Sequence, residues 1–172
     1  AGTQTAMLVF GGVSFGADPV FTNKVELWNG SGWTETAGMN TARHYMGSCG
    51  ISTAALGCGS TNGHTETWNG SAWTEVADMN SIRSVVRNSG SYTDCISFGG
   101  NTPPGSYLGS TELYDGTSWT EISDMSTARG ELAAAKAGTS GSTLAAGGSP
   151  GAPTANEEFT RPATSTVTFT AS

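Results

Sequence analysis

The side chains able to take part in chemistry are few here: His44 and His64, Cys49, Cys58 and Cys95, and fourteen Asp plus Glu against seven Lys plus Arg. A zinc centre needs three or four Cys, His or carboxylate ligands at short spacings, and neither the histidines nor the cysteines fall at one. Three cysteines without a Cys-x-x-Cys pair read as buried small residues filling strand positions, with a single bridge as the alternative. No Gly-x-Ser-x-Gly elbow presents a nucleophile, and the glycine-rich runs lack the helix and lysine of a phosphate loop. A calcium site around Asp18 or Asp94 would want a regular ladder of oxygen ligands, which is missing. Carboxylates do recur, as Glu26, Glu66, Glu112 and Glu157 and again as Glu35, Glu75 and Glu121. A pair flanking a glycosidic bond can hydrolyse it, but identical sets lack the asymmetry of an acid and its partner. No catalytic residue, metal or cofactor is expected.

The carboxylates belong to an internal repeat. Segments 23–43, 63–83 and 109–129 share Glu-x-[Trp/Tyr]-[Asn/Asp]-Gly-[Ser/Thr]-x-Trp-Thr-Glu followed by Met-[Asn/Ser]-x-x-Arg. One aromatic stands before the turn at Trp28, Trp68 and Tyr114, and a second after it at Trp33, Trp73 and Trp119. Met39, Met79 and Met125, then Arg43, Arg83 and Arg129, keep the register, and Phe159 takes the Trp28 position in a degraded fourth copy. Between these segments lie short apolar strands ending in Gly, at 5–12, 53–60, 93–100 and 142–148.

Alternation turns each unit into four strands, exemplified by 43–50, 53–59, 64–69 and 73–76. Asn69-Gly70 and Asp115-Gly116 supply the positive-φ residues of tight hairpins. The fold class is all-β: four-stranded antiparallel blades, four of them, in one domain of 172 residues with units at 1–38, 39–78, 79–124 and 125–172. Such sheets bury their faces only by stacking on neighbours. The aromatics then fill the space between sheets, the methionines fill irregular gaps, and each arginine makes a bidentate structural clamp with a repeated glutamate. The tail 165–172 alternates and supplies the last strand of unit four, while 1–10 supplies the first two strands of unit one, so a ring of four can close; the alternative is an open four-unit piece of a larger or oligomeric ring.

A strand ending in Gly-Gly, a spaced aromatic, Trp, then Met-x-x-x-Arg resembles the kelch repeat over nearly the whole chain, and in particular the short kelch-like repeats of virus-encoded and environmental surface proteins. The resemblance implies a β-propeller whose first strands line a central channel and whose rim loops make contacts. Some relatives of this architecture are copper oxidases, but the Tyr, His and Cys set they need has no match. Ser60 in place of the second Gly and Tyr114 in place of a Trp are mild departures.

Charge narrows the partners. A pI near 4.6 and a net charge of -7 offer no basic stripe to nucleic acid or to an anionic membrane surface. No apolar run is long enough to span a bilayer as a helix. The opening residues show no signal-peptide pattern, and the absence of an initiator Met points to a processed chain or a segment of a longer one. Poverty in Lys with abundance of Ser, Thr and Gly suits an extracellular or virion surface. The reading is a non-catalytic structural or interaction module with protein partners, copies of itself included. A carbohydrate- or receptor-binding propeller is the alternative, and a propeller-type hydrolase or oxidase ranks last.

Contacts are expected at the loops that vary between units, where Phe15, Phe21 and Tyr107 stand among Gly and Pro, either stacking on a partner or folding back over the rim. Asn29 and Asn69 match the N-glycosylation pattern, although Asn-Gly also suits the turn there.

Overall fold

The computed structural model describes residues 1–14, 20–102, 105–135, 139–151, 154 and 156–161. These residues form strands and no helix, so no helix is long and apolar enough to cross a membrane. The first sheet orders β1 (Met7–Phe10), β4 (Val25–Trp28) and β5 (Trp33–Thr36), with a two-residue hairpin of β2 (Val13–Ser14) and β3 (Val20–Phe21) set into the connection. The second orders β6 (Gly47–Ile51), β7 (Ala54–Cys58), β8 (Thr65–Trp68) and β9 (Trp73–Val76). The third runs β10 (Arg87–Gly90), β11 (Cys95–Phe98), β14 (Thr111–Tyr114) and β15 (Trp119–Ile122), with a hairpin of β12 (Asn101–Thr102) and β13 (Ser106–Tyr107) inserted as in the first. The fourth joins β16 (Ala133–Ala134), β17 (Ser142–Ala146) and β18 (Asn156–Thr160). All pairs are antiparallel. The variable loops of units one and three thus contain short ladders that the residue pattern did not announce.

Register follows the repeat. Trp28 pairs with Trp33, Trp68 with Trp73 and Tyr114 with Trp119, the rings tilted with centroids 5.2–5.6 Å apart. Four residues, not two, close each turn. Gly30, Gly70 and Gly116 alone take positive φ, at 94–96°, while Asn29, Asn69 and Asp115 do not. The side-chain oxygen of each instead accepts the N–H groups two and three residues on, as Asn29 Oδ1 does from Ser31 and Gly32 at 2.9 Å. This is an Asx-type turn, and it revises the expected tight hairpin.

The first strands also begin later than the alternation suggests. In unit two the strand starts at Gly47 rather than Arg43, because the Arg43 side chain is buried in a joint and Tyr45 takes φ 54°. Val85 and Glu131, also two residues beyond an arginine, have φ 51° and 56°. At the chain start the paired element is β1; Ala1 and Gly2 form no further strand and add a bridge to Met7 and hydrogen bonds to Leu8. The tail assigned to the last strand lies outside the described residues.

The core lies between sheets. Leu8, with Phe10, packs on Ala55, Trp68 and Trp73; Leu56 and Cys58 pack against Cys95, Tyr114 and Trp119; Ile96 and Phe98 pack against Leu132, Ala145 and Phe159. Phe10 meets Trp73 edge-on with centroids 4.8 Å apart, and its ring lies where a side chain on Gly57 would collide at 2.7 Å. From the first sheet to the fourth, each sheet therefore sets its Leu face on the Trp face of the next. The cysteines correct the sequence reading: Cys49 on β6 and Cys95 on β11 form a disulfide with Cα atoms 6.4 Å apart, tying the second sheet to the third. Only Cys58 is a buried free thiol.

Candidate functional site

The repeated ionisable residues meet at the joints between sheets. Arg43 leaves the first sheet and donates from Nη2 to Glu66 Oε1 at 2.8 Å, while its Nη1 donates to the carbonyls of Gly59, at 3.3 Å, and His64. The same carboxylate accepts the Asn40 backbone N–H at 2.7 Å, the Asn40 amide at 2.9 Å and the Thr41 N–H at 3.3 Å. Arg83 repeats this on Glu112 at 3.0 Å, with the Gly99 and Ser110 carbonyls on Nη1 and Asn80 and Ser81 on the carboxylate. Arg129 holds Glu157 at 2.8 Å, joined there by the Ser126 N–H at 2.6 Å. The fork is split between one carboxylate oxygen and backbone carbonyls, so the clamp is not the bidentate pair expected. A charge taken out of water needs such a full set of partners: Arg43, Arg83, Glu66 and Glu112 are at most 1% exposed. Burial lowers the pKa of Arg83 below its ordinary value, with Glu112 pulling it back.

Met39 and Met79 are buried beside these clamps and Met125 is half-buried against the third joint. Phe159 pairs with Thr143 as Trp68 does with Ala55, and packs into that same joint. The second glutamate set stays at the surface: Glu35 pairs with Lys24 at 3.1 Å, and Glu75 lies 3.1 Å from His64 Nδ1. His64, Glu75 and Asp78 bring ligand-type atoms within 4.8 Å of one another, a grouping the spacing of histidines alone did not reveal. Each member has a local role. His64–Glu75 occupies the place of Lys24–Glu35 one unit earlier, and Asp78 accepts the Thr65 N–H at 3.2 Å.

Of the loop aromatics, Phe21 is 44% exposed and stacks on His44 with centroids 4.1 Å apart, and Tyr45, 55% exposed, flanks the same ring. Burial holds His44 below its ordinary 6.5. Tyr107 folds inward, its hydroxyl 3.1 Å from Ser149 and its ring over Gly130. Phe15 and Asp18 lie outside the described residues. Asn29 and Asn69 are exposed, with Oδ1 occupied by the turn. Asp115 does the same in unit three, its carboxyl held below the ordinary range by the Ser118 and Thr117 N–H groups, which shows what the position is filled for.

Several openings line the surface, and two lie near the second and third sheets. A cleft of mixed lining, about 200 Å³, lies among Ser48, Asn88 and Ser89 on β6 and β10, and a more apolar groove of about 510 Å³ runs past Ile51, Ala54 and Tyr92. The Asn88 amide donates to Cys58 Sγ at 3.0 Å, and burial pushes that thiol up to about 11, so it is protonated at neutral pH and a poor nucleophile.

The last surface is the Trp face of the first sheet. Trp33 is 47% exposed and Val9 43%, whereas Trp73 and Trp119 are each 6% exposed at the position of Trp33. Leu144, at the position of the buried Leu8, Leu56 and Ile96, is 37% exposed on the forward face of the fourth sheet. Against known proteins, no family model and no curated sequence matches this chain.

Proposed function

We infer that the chain is a non-catalytic interaction module of an extracellular or virion surface assembly, its four sheets being propeller-type blades that work by docking rather than by turnover. The observation that carries this is the first sheet, which leaves open a face that is covered in the second and third. Exposed apolar area of this kind, rimmed by charge, marks contact surfaces. The recurring arginines and the glutamates they hold are engaged in joints, which favours architecture over catalysis. A disulfide between sheets suits an oxidising compartment. A ring of four blades would close by setting the Leu144 face on the Trp33 face.

The test is incorporation. Wild-type chain and a Trp33→Ser variant, folded alike by their thermal transitions, are compared for retention in the particle or surface layer that carries the protein. The variant is expected to stay free. Equal retention, or a wild-type chain found only as a free species, overturns the reading.

A second reading, glycan binding, draws on the exposed Phe21–His44–Tyr45 row, since stacked rings suit sugar faces. Saturable oligosaccharide binding that Phe21→Ala abolishes would favour it; none at all removes it.

A further inference from the structure

Three sheets receive the same polypeptide cap and one does not. The caps are the segments leaving each preceding sheet, 39–43, 79–83 and 125–129, and they end on Glu66, Glu112 and Glu157. Glu26 stands at the same register, opposite Val9 on one side and Glu35 on the other, just as Glu66 stands opposite Gly57 and Glu75. Yet Glu26 is exposed, and among the described residues no cation or amide reaches its carboxylate. The apolar half of the same site is open too, since Trp33 and Val9 are exposed where their counterparts are covered.

The geometry points to this face as the docking surface for a Met-Asn-x-x-Arg segment of the kind that caps the second and third sheets, a conclusion that rests on the interaction reading above and names the chemistry of its partner. Inside the molecule the arginine pairing is written three times and the asparagine contacts twice, Ser126 standing in the third cap. The incoming arginine pairs with Glu26 Oε1. The asparagine gives its backbone N–H and amide to the other oxygen and its amide also to the Trp33 carbonyl, as Asn40 does to the Trp73 carbonyl at 3.2 Å and Asn80 to that of Trp119 at 3.0 Å. The methionine lies in the apolar part of the joint, as Met39 does in the cluster that holds Trp73. Charge agrees: the face presents Glu26 beside the Lys24–Glu35 pair in a chain of net charge -7, which favours a cationic segment over an acidic one.

A second copy of this chain does not meet the requirement. Its three caps are spent on its own glutamates. Arg161 pairs with Asp94 at 3.2 Å. Among the described residues, a copy can offer the Leu144 face to Trp33 but none of its three capping arginines to Glu26.

The probe is a synthetic peptide with the sequence of residues 37–46, titrated into the full chain while the Trp33 indole N–H signal, assigned through Trp33→Phe, is followed by NMR. A saturable shift is expected. Glu26→Gln weakens the affinity about ten-fold or more, the worth of one charge-assisted hydrogen bond, and replacing the peptide arginine by lysine weakens it as well, because a point charge cannot span both acceptor groups. Glu26 and Trp33 are exposed, so the variants keep the fold, which the remaining indole signals report. The proposal falls if no saturable shift occurs or if Glu26→Gln changes nothing. It falls equally if Trp33 is occluded without peptide, by self-association seen in native mass or by closure of the chain on itself. Loss of incorporation by Trp33→Ser together with peptide failure would leave the interaction module standing with a different partner.

Discussion

Repetition lets single residues be judged against their own counterparts. Trp119 donates its indole N–H to Thr65 Oγ1 at 3.1 Å across the joint between the second and third sheets. One joint earlier, Val25 occupies the Thr65 position, and the buried Trp73 indole N–H has no acceptor. A buried donor without a partner costs about 1–3 kcal/mol. Val25→Thr, nearly isosteric, should therefore raise the denaturant midpoint by the equivalent of about 1 kcal/mol, whereas Thr65→Val should lower it by a similar or larger amount. Ser60 is a second departure. It holds φ 92° where Gly12, Gly100 and Gly148 hold 104–126°, and its buried hydroxyl has no partner. A left-handed, β-carbon-bearing residue there stores strain, so Ser60→Gly should stabilise by about 1 kcal/mol, read from the same unfolding curves.

At the scale of elements, the clamp joins the end of one sheet to the third strand of the next. Its glycine acceptors need close backbone approach: a β-carbon on Gly99 would lie 2.2 Å from the Arg129 carbonyl, at φ 52°. Removing one member of a buried pair leaves the other charge stranded. Arg83→Met should cost about 3–5 kcal/mol, and adding Glu112→Gln should return part of it, a coupling that a double-mutant cycle measures. Glu26→Gln, the same repeat position without its cap, should leave stability within about 0.5 kcal/mol of wild type. Equal costs at Glu26 and Glu112 would contradict the assignment of the clamps as the joints.

For the molecule as a whole, stability should follow how many faces each sheet has covered. The second and third sheets are packed on both sides and share the disulfide, which closes a loop across 46 positions and constrains the unfolded chain by of order 4 kcal/mol. The first and fourth sheets each leave a face open, marked by Trp33 and Leu144. Amide exchange is expected to be slowest in β7, β8, β11 and β14 and faster in β5 and β17. Uniform protection across all four sheets would mean that the end faces are covered in solution.

Much of this was written locally. Strands three and four, the aromatic pairs flanking each turn, and arginine and glutamate as clamp partners follow from spacing, because hydrogen-bond registry and alternation act over a few residues. The turn chemistry was legible as Asn-Gly but misassigned, since the loop length that selects the turn is fixed by which aromatics pair. The Cys49–Cys95 bond left no local trace: the residues come from different strands of different sheets, and only their stacking brings them together. The fate of the four equivalent glutamates was equally hidden. Glu26, Glu66 and Glu112 sit in near-identical sequence, so the sequence determines what each can bind. Whether it is buried and held depends on the sheet that stacks upon it, because burial belongs to a pair of surfaces and not to either residue. Only the tertiary structure decides that.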